Sequence, residues 1–308
     1  MEDYPRNLSE LEERFATDQA CRDYLFGLRW PEGYRCPRCG HKKAWPMRDG
    51  LFRCASCDYK CSISSGTIFE GSRKPLVLWF RAIWWVASQK SGVSAQSMQR
   101  ILELGSYKTA WVWMHKLRRA MVRPGRDRLS GTVEVDETYV GGKKPGKRGR
   151  GAEGKAFVAI AVEDKAAKGI GRIRLSIIPD ASSTSLTSFA QQCIEHGSVV
   201  RTDDWHGYSG LRSSGYCHKV ANSTDLKIVH LVASLLKRWL LGTHQGAVSH
   251  EHLAYYLDEY TFRFNRRTSN HRGKLFYRLL QNAMEIEPTT YSAMVRNVRG
   301  RKPSNHKM

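Results

Sequence analysis

GTVEVDETYVGG, residues 131–142, places a carboxylate inside a short β-pattern that would otherwise bury it. Val133, Val135 and Tyr139 alternate with Glu134, Asp136 and Thr138, so a strand over 132–140 has one apolar face and presents Asp136 from the other. Taken alone, one acid in such a pattern describes an edge strand with a solvated charge. Its meaning depends on what else in the chain converges on it.

Downstream, Gly141-Gly142-Lys-Lys-Pro-Gly-Lys-Arg-Gly-Arg is a glycine-rich basic loop. It reads either as a phosphate-backbone contact through Lys143, Lys144, Lys147 and Arg148 or as a solvated charge run. Residues 156–162 are nearly all apolar, as in a buried central strand, whereas 172–178 alternate and stop at Pro179, as an outer strand does. A helix over 182–194 follows, then a fourth strand over 198–202 that ends at Asp203-Asp204. Three strands, a helix and a strand, with acids on the first and fourth strands, resemble the ribonuclease-H-like fold of polynucleotidyl transferases. That resemblance implies that the two acids lie side by side and share divalent metal. Two Mg²⁺ roughly 4 Å apart activate an attacking oxygen and stabilise the leaving oxygen of an in-line phosphoryl displacement, and they relieve the repulsion between the carboxylates.

Upstream, Cys36-Pro-Arg-Cys39 and Cys54-Ala-Ser-Cys57 are separated by fourteen residues. Two such knuckles bring four thiolates around Zn²⁺, and a ribbon this small has no adequate core without the metal. His41 and Cys61 lie close enough to substitute, although the regular pairs make them unnecessary. Arg35, Arg38, Lys42, Lys43, Arg48 and Arg53 surround the ribbon with Trp45 and Phe52 among them, which suits DNA contact or a purely structural or protein-docking role. Residues 5–29 form a helix or helix pair. Pro75 opens a helix with the stripe Leu76, Trp79, Phe80, Ile83, Trp84 and Ala87. Ser94 caps a helix over 95–104 and Ser106 one over 107–121, the latter carrying Lys108, His115, Lys116, Arg118 and Arg119. Helix, glycine turn and basic helix describe either a helix-turn-helix or an ordinary helical hairpin.

The chain has 308 residues, with 50 Lys and Arg against 29 Asp and Glu, a formal charge of +21. Nine Trp and 13 Tyr are interleaved with the basic residues. The partner expected of this surface is a polyanion, most simply nucleic acid. No apolar run approaches the roughly 20 residues of a membrane span. The acidic, amphipathic first residues are unlike a signal peptide, so an intracellular protein is expected. Paired CxxC spacing favours metal over disulfides.

A helix over 226–241 buries Val229, Val232, Leu236 and Leu240 and turns His230, Ser234 and Lys237 to another face. Seven residues advance a helix by nearly two turns, so His230 and Lys237 align. Asp136 in VEVDETYVGGK, Asp203 in RTDDWHGY and the run IVHLVASLLKRWLLGTHQGAVSHEHLAYYLDEYTFRFNRR resemble the DDE-type transposases of bacterial insertion sequences, specifically insertion-sequence family fifteen-ninety-five. The four cysteines with GTIFEGS at 66–72 resemble that family's zinc ribbon. The likeness spans roughly residues 15–280.

The resemblance implies that Asp136 and Asp203 are the first two metal-binding acids, that His230 stands at the third position, where DDE enzymes usually carry Glu, and that Lys237 contacts DNA. A neutral imidazole suits Mn²⁺ or softer ions better than Mg²⁺. Asp204, Asp225 and Glu251 are the other acids to weigh. Further on, Leu253, Tyr256, Leu257, Tyr260 and Phe264 form a core stripe that ends in Arg263, Asn265, Arg266 and Arg267, a grip on DNA phosphates or a solvated helix end. The tail from Arg296 is basic and unpatterned.

The expected layout is an N-terminal helical segment (1–30), a zinc ribbon (31–72), a helical DNA-binding segment (73–124), a mixed-sheet α/β ribonuclease-H-like domain (130–285) and a basic tail (286–308). The expected function is binding of element ends in double-stranded DNA followed by metal-dependent cleavage and strand transfer, by a homodimer or larger assembly in the bacterial cytoplasm, associated with the nucleoid. The competing expectation is a catalytically decayed transposase acting as a zinc-ribbon DNA-binding protein, motivated by His230 in place of Glu.

Overall fold

The computed structural model describes residues 2–123, 125–141, 155–246 and 248–296. They form two compact units: the chain up to Met121 together with the segment from Asn270, and Val122–Ser269.

The first unit begins with α1 (Leu8–Arg14) and α2 (Asp18–Arg29). Asn7 and Thr17 cap them by accepting from the Glu10 and Ala20 N–H groups. A three-stranded antiparallel ribbon follows: β1 (Ala44–Pro46), β2 (Leu51–Cys54) and β3 (Lys60–Ser62). Then come α3 (Leu76–Ser88), α4 (Ala95–Ile101) and α5 (Tyr107–Ala120). The caps expected at Ser94 and Ser106 are present, accepting from Ser97 N at 3.0 Å and Thr109 N at 3.2 Å. Each cap satisfies a first-turn donor that has no partner inside its helix.

The second unit is a five-stranded mixed sheet of β4 (Thr132–Val140), β5 (Ala156–Asp164), β6 (Ile170–Ile178), β7 (Val199–Thr202) and β8 (Cys217–Val220) in the order β6-β5-β4-β7-β8. β5 runs antiparallel to β4 and β6, and β7 and β8 run parallel to β4. This is the ribonuclease-H-like arrangement. β4 is therefore central, which removes the reading of Asp136 as a solvated charge on an edge strand. Helix α6 (Ser183–Cys193) covers one face, where Leu186 and Phe189 pack on Val133, Val135, Phe157 and Ala159. Helices α7 (Lys227–His244) and α8 (Leu253–Asn265) cover the other, where Val229, Val232, Leu236 and Leu240 meet Val158, Ile160 and Val162. Each of those buried side chains stabilises the docking of α7 by about 1.5–3 kcal/mol. β5 is covered on both faces, which is why its sequence runs apolar without alternation.

At the β5–β6 irregularity, Glu163 is fully buried and accepts from Ser130 N at 3.2 Å, Arg172 N at 3.0 Å and Arg172 Nη2 at 2.7 Å. Burial works to raise its carboxyl, but these donors outweigh it and hold the pKa at about 2.

The chain then returns to the first unit with α9 (Arg272–Glu285) and α10 (Tyr291–Val295). The α/β domain was expected to extend to 285, yet α9 packs on α2, α3 and α5. Its stripe of Phe276, Leu279, Leu280 and Ala283 is buried there, with Phe276 edge-on to Phe80 and Trp84. An amphipathic helix shows that it needs a partner, not which one. Among the described residues no helix is long and apolar enough to cross a membrane.

Candidate active site and metal centre

In the ribbon, the Cys36 and Cys57 Sγ atoms lie 3.7 Å apart and those of Cys39 and Cys54 3.5 Å apart. All four sulfurs fall within 4.8 Å of one another. Tetrahedral ligands at the usual Zn–S length would sit about 3.8 Å apart, so the donor set fits zinc. Two matching knuckles build it: Gly40 N donates to Cys36 O and Asp58 N to Cys54 O. The residue after each second cysteine, Gly40 at φ 73° and Asp58 at φ 56°, takes the left-handed turn. His41 and Cys61 stand outside the cluster. Cys61 is buried with its Sγ 3.8 Å from the Tyr34 hydroxyl.

In the second unit, side-chain alternation on β4 points Glu134, Asp136 and Thr138 toward α7. The His230 Nε2 lies 3.2 Å from Asp136 Oδ2, with the two side chains 43% and 21% exposed. Burial raises the pKa of the Asp136 carboxyl; the Glu137 N–H and His230 pull it down, while the Glu137 and Asp203 charges add to the rise. Asp203 follows the C-terminal end of β7, next to β4, and its Oδ1 accepts from Trp205 N at 3.1 Å. Asp136, Asp203 and His230 thus gather in one neighbourhood, though among the described residues only the four cysteines bring three or more ligand atoms within 4.8 Å of each other. Two carboxylates and an imidazole, crowded by a third acid at Glu137, are a donor set that a divalent cation would neutralise. Lys237 is exposed on α7, and Asp204, Asp225 and Glu251 are exposed.

Sequence reasoning overlooked three supporting residues. Glu134 is 1% exposed, and its Oε2 accepts from the N–H groups of both Ile228 and Val229 at 3.0 Å, while Oε1 faces Arg201 at 3.3 Å. It anchors the first turn of α7 and so positions His230. Tyr208 is buried and donates to Glu137 Oε2 at 2.6 Å. His218, on β8, lies 2.8 Å from Thr202 Oγ1, which donates to Asp203 O at 2.7 Å. The three acids in VEVDE were the available signal for the first; nothing in CHKV marks the last.

Several expected DNA contacts are placed differently. Arg118 is 1% exposed, inside the first unit, so it is not a surface residue; Arg119 is half-buried. The basic face of α5 is partly internal, since Lys116 Nζ donates to the Ile68 and Glu70 carbonyls at 2.7 and 3.1 Å. Arg267 spends its guanidinium on the Ile170 and Gly171 carbonyls of β6 and lies over Phe264. Arg266 is half-buried over Phe262 and donates to its carbonyl. Lys143, Lys144, Lys147 and Arg148 lie outside the described residues.

Two family models match the chain: an ISXO2-like transposase domain over residues 128–265 and a transposase zinc-ribbon domain over 16–60. An uncharacterized protein in transposable element ISH50 of Halobacterium salinarum is 26% identical over 280 residues, covering 81% of this chain and 91% of that protein. Among solved structures, a chain of the simian T-cell lymphotropic virus intasome in complex with PP2A regulatory subunit B56 gamma aligns over 53% of this chain and 63% of its own length, at 13% identity and a TM-score of 0.30. A chain of the pre-cleavage Mos1 transpososome aligns over 67% and 75%, at 14% identity and a TM-score of 0.27. With the ribbon cysteines clustered, the acids on adjacent strands and both family models matched in this order, the chain belongs to the transposases of insertion-sequence family fifteen-ninety-five.

Proposed function

We propose that this protein binds the ends of its own insertion element in double-stranded DNA and catalyses metal-dependent strand cleavage and strand transfer. The observation that carries the reading is the approach of His230 on α7 to Asp136 on β4, with Asp203 at the end of the neighbouring strand. Asp136, Asp203 and His230 would hold divalent metal. Bound there, Mg²⁺ or Mn²⁺ supplies a low-pKa water and charge stabilisation at the leaving 3′ oxygen. Asp136 and Asp203 contribute the negative charge that retains the cations, and His230 adds a neutral donor that favours Mn²⁺ over Mg²⁺. Glu134 holds His230 in register through the first turn of α7. Exposed Lys237 meets the phosphate backbone beside the reacting strand. Water first cleaves the phosphodiester, and the freed 3′ hydroxyl then attacks a target phosphodiester, with no covalent enzyme intermediate.

The four cysteines hold structural zinc, and the ribbon and the helical segment serve end recognition. Arg119 and Arg266 are the half-buried candidates for phosphate contact; Lys143, Lys144, Lys147 and Arg148 are further ones. Holding two ends requires a dimer or larger assembly, acting at the nucleoid.

The test is cleavage and joining of linear fragments carrying the element's ends, in Mg²⁺ and in Mn²⁺. Asp136→Asn and Asp203→Asn are expected to lose at least 10³-fold while binding DNA as wild type does. His230→Ala is expected to lose about 10²-fold, and His230→Glu to regain activity with its preference moved toward Mg²⁺. DNA binding without products in either metal would leave a decayed, DNA-binding transposase.

A further inference from the structure

One cleft of the α/β unit is lined by aromatic rings. This cleft, of about 780 Å³, opens where β4 ends, β5 begins and β6 ends, and it continues along the segment that follows Asp203. That volume falls within the roughly 300–1,000 Å³ of small-molecule sites. Tyr139, Phe157 and Trp205 supply ring surface, while Lys155, Asp180 and His206 supply polar groups. The rings are held in place. Tyr139 and Phe157 pair across the strands, edge to face, with centroids 4.6 Å apart. Trp205 Nε1 donates to the Ala181 carbonyl at 2.9 Å, and the His206 ring lies 3.8 Å from the indole.

The cleft is tied to the acid by the backbone. Asp203 Oδ1 accepts from Trp205 N, so the turn that places the carboxylate also places the indole. Two residues span at most about 7 Å of chain, so Trp205, which lines the cleft, lies within that reach of Asp203.

We propose that the cleft receives one unstacked nucleobase of the DNA strand at the cleavage site, stacked against Trp205, with Lys155 facing the adjoining phosphate; this rests on the transposase reading above. Aromatic platforms accept any base because every base has a π-face. Extruding a base costs a few kcal/mol, which this stacking and the phosphate contact would offset. The cleft would thereby hold the scissile phosphate in register with Asp136 and Asp203, giving Trp205 a positioning role.

The experiment is a double-mutant cycle between protein and DNA, using the full chain and end fragments carrying a single abasic site at each position around the cut. Trp205→Ala should lower cleavage of intact ends by about 5- to 150-fold, and Trp205→Phe should keep most of it. The Trp205→Ala loss should vanish on the fragment that is abasic at one position and persist on all others. 5-Iododeoxyuridine at that same position should photo-crosslink to a cleft residue in wild type, a readout that needs binding but no cleavage. If Trp205→Ala does not fold, Lys155→Ala and His206→Ala carry the same cycle. A loss that persists on every abasic fragment, with no crosslink to the cleft, overturns the proposal and leaves the transposase reading standing. A crosslink without cleavage by wild type supports the cleft and overturns the catalytic reading. Failure to bind DNA at all overturns both.

Discussion

Glu134 Oε2 accepts hydrogen bonds from the Ile228 and Val229 N–H groups, both at 3.0 Å, so a buried acid two residues before Asp136 fixes the helix turn that carries His230. The carboxylate ends two otherwise unpaired donors at the positive end of the α7 dipole and faces Arg201 at 3.3 Å. Glu134→Ala should cost about 2–4 kcal/mol in denaturant unfolding, because it orphans the two N–H groups and leaves Arg201 beside a void. Glu134→Gln keeps one acceptor and should cost less than half as much. If the residue positions the site, Glu134→Gln should also reduce the cleavage rate at temperatures where the protein stays folded. Unchanged cleavage would reduce Glu134 to a purely stabilising cap.

The ribbon should carry one zinc per chain by elemental analysis. Its strands are three or four residues long, and the four converging thiolates are the groups that a metal would tie together. Chelation, or Cys54→Ser at the fully buried ligand, should unfold the segment around the ribbon as seen by proteolysis, while the α/β unit keeps its protection. A zinc content that survives Cys54→Ser would point to Cys61 as a substitute ligand.

Arg118→Ala and Arg119→Ala should part company. Arg118 is 1% exposed, so truncating it removes packing and buried donors and should cost on the order of 2–4 kcal/mol of stability. Arg119→Ala should leave stability within about 0.5 kcal/mol and weaken DNA binding, with a shallower salt dependence. The reverse pattern would return Arg118 to the DNA surface.

Acid stability should carry the signature of Glu163. Its carboxyl sits at about 2 in the fold against an ordinary value of 4.5. The folded state therefore favours the ionised form. Its contribution is complete above about pH 4.5 and drains away as pH falls toward 2. That shift corresponds to about 3 kcal/mol at most. Comparing wild type with Glu163→Gln by urea unfolding, the gap should be widest at neutral pH and should narrow steadily below pH 4.5. A gap that does not change with pH would mean that the lost packing and hydrogen bonds, rather than the charge, set the cost.

The sequence by itself determined whatever depends on neighbours along the chain. β4 spans 132–140 as the alternation required, the caps at Ser94, Ser106 and Ser182 accept from the third residue onward, and each zinc knuckle closes within five residues. Local hydrogen bonds and local periodicity leave a pattern in the letters. Tertiary structure alone decided the rest. β8, reading CHKV with an almost wholly exposed pattern, is a strand only because β7 offers it an edge. Helix α9 could not announce that it packs on α3, since an amphipathic stripe fits any apolar partner. Arg118 is written in the same letter as Arg119, and only the packing of α5 makes one internal and leaves the other half-buried. His230 meets Asp136 across ninety-four positions of chain. Spacing aligned His230 with Lys237, but only the docking of α7 on the sheet, through Glu134 and the Val229–Leu240 stripe, brings the imidazole to the carboxylate. Contacts between distant segments depend on how whole surfaces fit, and that fit is a property of the folded chain that no single stretch contains.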